Sequence, residues 1–194
     1  MKRSLLILIL TLSFQSWTKA DDIKDFEIEG MSIGDSALKY FKIADIKKRS
    51  WEYPGDKKFI RAQNDNMSFF KTYDAVDFSY KSKDKSIIIH SLSGIFLTKN
   101  MNQCIKKQNV IANDLTSSFP NAEKSERDKK YKDDHYHWKG TRNKQITFWL
   151  KNNGGTISVH CTDYSEDHGG QDHLSVNLKT KEINDWLINK AYKK

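Results

Sequence analysis

The segment from residue 162 to residue 173 carries the residue types best suited to chemistry in this chain. It reads TDYSEDHGGQDH and gathers acids and two histidines in a protein that is otherwise basic. Its two consecutive glycines allow tight turns, and functional residues collect on such loops. We expect it to form a binding site with Tyr164 and with the nearby Trp149 and His160. The acids and histidines of the loop are Asp163, Glu166, Asp167, His168, Asp172 and His173.

Calcium binding needs a more specific pattern than this loop offers. Asp163, Ser165 and Asp167 have the spacing of the first three ligands of a twelve-residue calcium loop. His168 stands where that loop needs glycine, and Leu174 stands where it needs a bidentate glutamate. The pattern fails at both positions, so a calcium site is not predicted.

Zinc is suggested by the histidines, because five of the six lie after residue 134. His135 and His137 share one face of a predicted strand, and His160 lies on the solvent side of its own strand. In a simple meander one strand separates them, which places them about 9 to 10 Å apart. That is too far for one tetrahedral ion unless His168 or His173 reaches in. We therefore predict surface histidines and no cofactor.

Motifs of known catalytic machinery do not occur in the sequence. It has no GxSxG elbow, Walker loop, HExxH pair or cysteine nucleophile signature. Asp163, Ser165 and His168 are the residue types of a triad, but a triad is recognised by its geometry in space. A non-catalytic binding protein is favoured, and a metal-assisted hydrolase that uses the histidines and acids of the same region is the alternative. Zinc content would separate the two.

The strands that position this loop are predicted from a near-repeat in the sequence. Residues 76–91 read VDFSYKSKDKSIIIHS, and residues 146–161 read ITFWLKNNGGTISVHC. Both segments alternate apolar and polar residues around a turn, which is typical of hairpins with half-buried strands. A further strand, LSGIFL or LSVNL, and then a helix follow each hairpin. The sequence predicts an α+β fold, an antiparallel sheet built from two hairpin-strand-helix units with the helices packed on one face.

Three helices are predicted from their capping residues. Asn100 caps a helix whose apolar stripe includes Cys104, and Thr180 caps the last helix. A third helix, near the mature N-terminus, is predicted from Ser32 with Asp35 three residues later. Its buried side would consist of Ile33, Ala37, Leu38 and Phe41.

The N-terminus has the composition of a secretory signal peptide. Lys2 and Arg3 precede an apolar run of about ten residues, and Thr18 and Ala20 are the small residues of a cleavage site. No later stretch is apolar enough to cross a bilayer. We predict cleavage after Ala20 and a soluble protein of the periplasm or the exterior.

The mature chain is expected to form one domain over residues 21–194. An internal duplication of 72–118 and 135–192 and a chance similarity of two hairpins both remain open. Loss of the leader lowers the net charge from +8 to +5. The lysines are interspersed with acids, as in KSERDKKYKDD, which is typical of a solvated surface rather than a nucleic-acid interface. The expected partner is an envelope protein or a small ligand, and not nucleic acid.

Cys104 and Cys161 are the two cysteines of the chain. An even count in an exported protein favours a disulfide, while two buried thiols or two metal ligands are the alternatives. Neither cysteine belongs to a CxxC pair, which makes zinc binding less favoured. Both lie at predicted core positions, on a helix and on a strand, where a disulfide would join the helix to the sheet.

Several segments along the mature chain form a recognisable combination. They are DFEIEGMSIGDSALKYF, IIIHSLSG, CIKK, CTDYSED followed by DHLSVNL, and the closing KEINDWL. This combination resembles a family of small, uncharacterised exported proteins from marine bacteria with AT-rich genomes. The resemblance implies export and the pairing of Cys104 with Cys161, and it implies no particular chemistry. The segment GMSIGDS is also similar to the opening of BamE-type envelope modules and of tandem β-lactamase inhibitor proteins, which bind other proteins.

Overall fold

The computed structural model describes residues 22–65, 69–132, 139–151, 154–165 and 170–193. The predicted signal peptide lies outside these ranges. Two short 3-10 helices cover Ile23–Asp25 and Ala37–Lys39. The strands and α-helices are, in chain order, β1 (Glu27–Ile28), β2 (Met31–Ser32), α1 (Ile43–Lys48), β3 (Ser50–Glu52), β4 (Phe59–Asn64), β5 (Ala75–Lys81), β6 (Ser91–Leu97), α2 (Met101–Ser118), β7 (Glu123–Lys130), β8 (Arg142–Trp149), β9 (Thr156–Asp163), β10 (His173–Lys179) and α3 (Lys181–Asn189).

Eight of these strands form one antiparallel sheet in the order β3-β4-β5-β6-β10-β9-β8-β7. This confirms the predicted α+β class. Read inward from each edge, the order is a meander of four strands, and the two meanders meet where β6 pairs with β10. A helix follows each meander, α2 after β6 and α3 after β10. None of the helices in the described part of the chain has the length and apolarity to span a bilayer.

One face of the sheet forms the main core, because alternate residues of each strand point to the same side. Phe78, Leu92, Val176 and Ile157 are at most 2% exposed there. The amphipathic helix α2 packs on this apolar face against β9 and β10. Gln108 of α2 is fully buried, and its Nε2 atom donates 2.8 Å hydrogen bonds to the backbone oxygens of two neighbouring strands.

A disulfide joins α2 to the sheet, as the sequence predicts. Cys104 and Cys161 are bonded, and their Cα atoms lie 5.9 Å apart. Both residues are at most 2% exposed. The predicted cap of α2 is also present, because the Asn100 side chain accepts hydrogen bonds from the amides of residues 102 and 103.

The helix predicted from Ser32 is not formed. Ser32 belongs to β2, and Gly34 has a φ of +94° that an α-helix cannot contain. The backbone there pairs with the segment before β6 instead, since the amide of Gly34 donates to Ile89 O and the amide of Ile89 donates to Asp35 O. Leu38, predicted to be buried, is 41% exposed. The other three predicted core residues, Ile33, Ala37 and Phe41, are buried.

The first predicted hairpin also differs from the structure. Residues 82–90 form a connection between β5 and β6, with only an isolated bridge between Ser36 and Ile88. Ile87 has a φ of +50°, a conformation that interrupts any strand. The second hairpin, β8 with β9, is confirmed, and Phe148 lies opposite Ile157. The internal duplication stays a prediction.

The two long helices do not share a face of the sheet, contrary to the prediction. Trp186 of α3 packs on Tyr53 and Phe59, with ring centroids 5.0 and 5.1 Å apart. Phe59 alternates with the core residues Ile60 and Ala62, so it points to the side opposite α2. The helix α3 therefore covers one end of the second face.

Candidate ligand site on the polar face of the sheet

The second face of the sheet is lined mainly by small polar side chains, and we call it the polar face. Strand register places its members on the side opposite α2. Serine, threonine, asparagine and glutamine predominate, and each of them can donate and accept hydrogen bonds. In the central strands the members are Asp77 and Ser79 on β5, Ser91 and Ser93 on β6, His173, Ser175, Asn177 and Lys179 on β10, Thr156, Ser158, His160 and Thr162 on β9, and Asn143, Gln145 and Thr147 on β8.

Several of these polar residues are as buried as the core. Ser79 is 1% exposed, and Asp77 and Ser158 are 3% exposed. Larger members, such as His160 and Lys179, are only half-buried. Small side chains thus form a floor, and larger side chains stand above it.

Some polar side chains of this floor are hydrogen-bonded to one another. His160 Nε2 lies 2.9 Å from Ser158 Oγ, and Gln145 Nε2 donates to Thr147 Oγ1 at 2.6 Å. At one end, Tyr53 Oη lies 3.2 Å from Ser79 Oγ. Such contacts fix the orientations of donors and acceptors that face out of the sheet.

The central polar face has few charged residues, and they differ in whether they are paired with an acid. Arg61 of β4 pairs with the buried Asp77 and stacks on the Trp51 ring at 5.3 Å. The pairing with the Asp77 carboxylate raises the pKa of Arg61, although burial opposes this. Lys81, at the end of β5, pairs with Glu182 of α3 at 3.0 Å. Lys179 has no ion-pair partner among the residues that the structure describes, so it is a positive charge of the central face without a paired acid in the described ranges.

Two histidines lie together on adjacent strands of this face. His160 lies opposite Ser175 in register, two residues from His173 along β10. Burial, with the positive charges of Lys179 and His173 added, lowers the pKa of His160 to about 3. Burial also lowers the pKa of His173. Desolvation of His173 outweighs the attraction of the nearby Asp172 carboxylate, which would raise this pKa by itself.

The ends of the predicted binding loop close against each other beside these histidines. Asp172 Oδ1 accepts a 2.8 Å hydrogen bond from the amide of Tyr164, and Asp172 O accepts one from the amide of Thr98. The Tyr164 and His173 rings lie 5.8 Å apart. Asp172 therefore fixes the base of the loop.

An open cavity of about 490 Å³ lies at this base. Leu97, one of its lining residues, lies opposite His173 in register, so the cavity borders the polar face. The other lining residues are Thr98, Lys99, Tyr164, Ser165, Gly170, Gln171 and Asp172. Its volume falls in the range of about 300 to 1,000 Å³ that is usual for small-molecule sites.

The structure brings together only part of the predicted site. Asp163 lies on the same side of β9 as Cys161, opposite Arg142, and does not face His160. Trp149 is on the polar face but lies opposite Thr156, roughly 13 Å along β9 from His160. Its indole Nε1 donates to Ser125 Oγ at 3.2 Å. Of the other predicted site residues, Glu166, Asp167 and His168 lie outside the described residues.

Metal ligands are not clustered in the part of the chain that is described. No three His, Cys, Asp or Glu side chains there could hold an ion together. His135 and His137, which entered the zinc argument, lie outside the described ranges.

Sequence reasoning missed Arg61, Asp77 and Lys179. One signal could have found Lys179, because it is the polar end of an alternation, His173 to Lys179, whose apolar residues face the core. Arg61 carries no such signal, since FIRAQN does not alternate cleanly. Comparison with protein-family models, with curated proteins and with solved structures gives no match for this chain.

Proposed function

We propose that the chain is an exported, non-catalytic binding protein that holds a small ligand on the polar face. The observation that carries this proposal is the buried polar floor, which crosses five strands from β5 to β8. A sheet face that is buried only for stability is normally apolar, like the face under α2. Buried polar groups cost free energy unless they are hydrogen-bonded. None of the polar-face side chains named above has a fully buried atom without a hydrogen bond, so the groups that their neighbours leave unbonded are accessible to a polar ligand.

The dimensions of the face favour an extended ligand. The cavity lies beside His173 at one end of β10, and Lys179 lies at the other end. The two are six positions apart along the strand, which is about 20 Å. A chain molecule that starts in the cavity and follows β10 would contact both ends.

Export is part of the same proposal. It is supported by the predicted signal peptide, by the resemblance to exported proteins and by the disulfide, which persists in an oxidising compartment. The mature N-terminus determined from protein that the producing cells export should be Asp21.

The experiment is a ligand screen with one disruptive variant and one matched control. A panel of oligosaccharides and short peptides would be tested by thermal shift and calorimetry. Asn177→Leu removes a donor from the polar face, where Asn177 Nδ2 lies 3.1 Å from Ser175 Oγ. Asn113→Leu makes the same change on the exposed side of α2. Binding by the native protein that is lost in Asn177→Leu and kept in Asn113→Leu is expected.

Two results would contradict the proposal. Equal binding by both variants would place the ligand elsewhere. Cleavage of the ligand during incubation, abolished by a chelator, would favour the metal-assisted hydrolase that the sequence leaves as the alternative.

A further inference from the structure

Lys179 lies in a row of residues that crosses the polar face. In register, Arg61 is opposite Ser79, Ser79 is opposite Ser91, and Ser91 is opposite Lys179. Thr156 of β9 is opposite Lys179 on the other side. The two cations are thus three strands apart, about 14 Å, with hydroxyl groups between them.

The two cations of this row are in different states. The Asp77 carboxylate neutralises Arg61, as described above. Lys179 has no ion-pair partner in the described ranges; the charge of Arg61 repels it, and the more distant Asp77 carboxylate attracts it. Burial lowers the pKa of Lys179, because a partly covered ammonium loses some of its hydration. A partly desolvated, unpaired ammonium is destabilising unless an anion compensates it.

The immediate neighbours of Lys179 on the polar face are uncharged. Ser91 and Thr156 flank it on the adjacent strands, and Asn177 precedes it on the same face. Ser91 is 6% exposed and Thr156 is 4% exposed, so their hydroxyl groups are held in place. Hydroxyl and amide groups both donate and accept, as the hydroxyl groups of a sugar do. The surroundings therefore match a ligand that is rich in hydroxyl groups and carries an acid.

We propose that Lys179 binds the acidic group of a polyhydroxylated ligand, an acidic oligosaccharide that lies along β10 on the polar face. This rests on the proposed function and adds the chemical class of the ligand. The ammonium pairs with the acid, the serine, threonine and asparagine side chains hydrogen-bond the sugar hydroxyls, and the chain extends towards the cavity beside His173. A carboxylate, a sulfate ester and a phosphate ester share this chemistry.

The test compares acidic and neutral probes of equal length. The probes are a short oligogalacturonate, the corresponding neutral oligogalactose, and its sulfated and phosphorylated forms. Lys179→Met keeps the apolar stem and removes the charge. Lys151→Met makes the same change at an exposed position outside the polar face. Affinities would be measured by calorimetry at low and at physiological salt.

The native protein should bind at least one acidic probe more tightly than the neutral one. Lys179→Met should weaken the affinity for that acidic probe by about 10- to 100-fold, the usual contribution of a charged hydrogen bond. The affinity for the neutral probe should not change. Lys151→Met should change neither. The acidic probe whose affinity falls in Lys179→Met identifies the acidic group that Lys179 binds. The melting temperature of Lys179→Met should not fall, because an uncompensated charge has been removed.

Two outcomes would overturn the inference. If acidic and neutral probes bind equally and Lys179→Met has no effect, the ligand class is wrong while the proposed function stands. If no acidic probe binds, the inference also fails, and the broader panel with Asn177→Leu then decides the proposed function separately.

Discussion

At the scale of single residues, the sequence predicts the position of His160 on its strand but not its pKa. It alternates with Cys161, so its position on the side away from the core could be predicted, and the structure confirms it. Its chemical state could not, because that depends on Lys179 and His173 from the neighbouring strand. The same holds for Arg61 and Asp77, which are sixteen residues apart in sequence and form an ion pair across β4 and β5. The pairing register of distant strands, rather than any local sequence pattern, determines which charged side chains lie together at the candidate site.

The lowered pKa of His160 predicts acid sensitivity. Between its usual value of about 6.5 and its folded value of about 3, the unfolded chain binds more protons than the folded chain. Stability therefore rises with pH through this window and is lost as the pH falls below about 6.5. We expect His160→Gln to reduce the change in melting temperature between about pH 7 and pH 5. His90 and His173, whose pKa values are also lowered by burial, should leave a residual slope.

Nuclear magnetic resonance would check the same prediction directly. The imidazole of His160 should stay neutral down to about pH 5. A titration midpoint near 6.5 would show that the polar face does not desolvate this side chain.

At the scale of elements, helices and strands could be predicted where residues close together in the sequence determine the structure. The caps Asn100 and Thr180 begin their helices, and the alternation around residues 152–155 marks the β8–β9 hairpin. The helix predicted from Ser32 fails because pairing with residues 87–89 outcompetes it. The strand β7 was missed because all eight of its residues are exposed and most are charged. Charged side chains protect an edge strand from pairing with other molecules, so its composition fits its position at the sheet edge.

Gly155 tests how the β8–β9 turn supports the site. It has a φ of +85°, and a Cβ atom there would collide with the backbone oxygen of Lys179. Gly155→Ala should destabilise the protein by about 1 to 3 kcal/mol from backbone strain, with the collision added. Gly34→Ala is the control, because its φ of +94° is similar but nothing lies near the added atom. Urea unfolding should show the larger loss for Gly155→Ala, and equal losses would mean that the close approach to Lys179 is unimportant.

At the scale of the whole molecule, the central pairing of β6 with β10 joins the two halves of the sheet. Repeating alternation in the sequence predicts an antiparallel sheet, but it does not specify which strands meet at the centre. The pairing brings Ser91 and Ser93 beside Lys179 and Asn177, and so builds the polar face from two distant segments. The apolar face could be predicted because its residues are hydrophobic. The site could not, because serines and threonines on a strand look the same whether they face solvent or a ligand.

The disulfide between Cys104 and Cys161 supports the sheet from the opposite side. Replacing both cysteines with alanine should lower the free energy of unfolding by about 2 to 5 kcal/mol, since the bond closes a long loop. Urea denaturation of the oxidised native protein and the variant would measure the loss. Mass spectrometry of the native protein, purified without reductant, should find no free thiol. Two free thiols would contradict the pairing.

The most direct test of the polar face as the ligand site uses the side-chain amides of the protein as reporters. Asn177 and Gln145 lie on the polar face, whereas Gln108 of α2 is fully buried between that helix and the other side of the sheet. Labelled protein would be titrated with the oligogalacturonate and, in parallel, with the neutral oligogalactose. The side-chain amide resonances of Asn177 and Gln145 are expected to shift, and those of Gln108 are expected to stay in place. Saturable binding that leaves Asn177 and Gln145 unchanged would contradict the assignment of the site to the polar face.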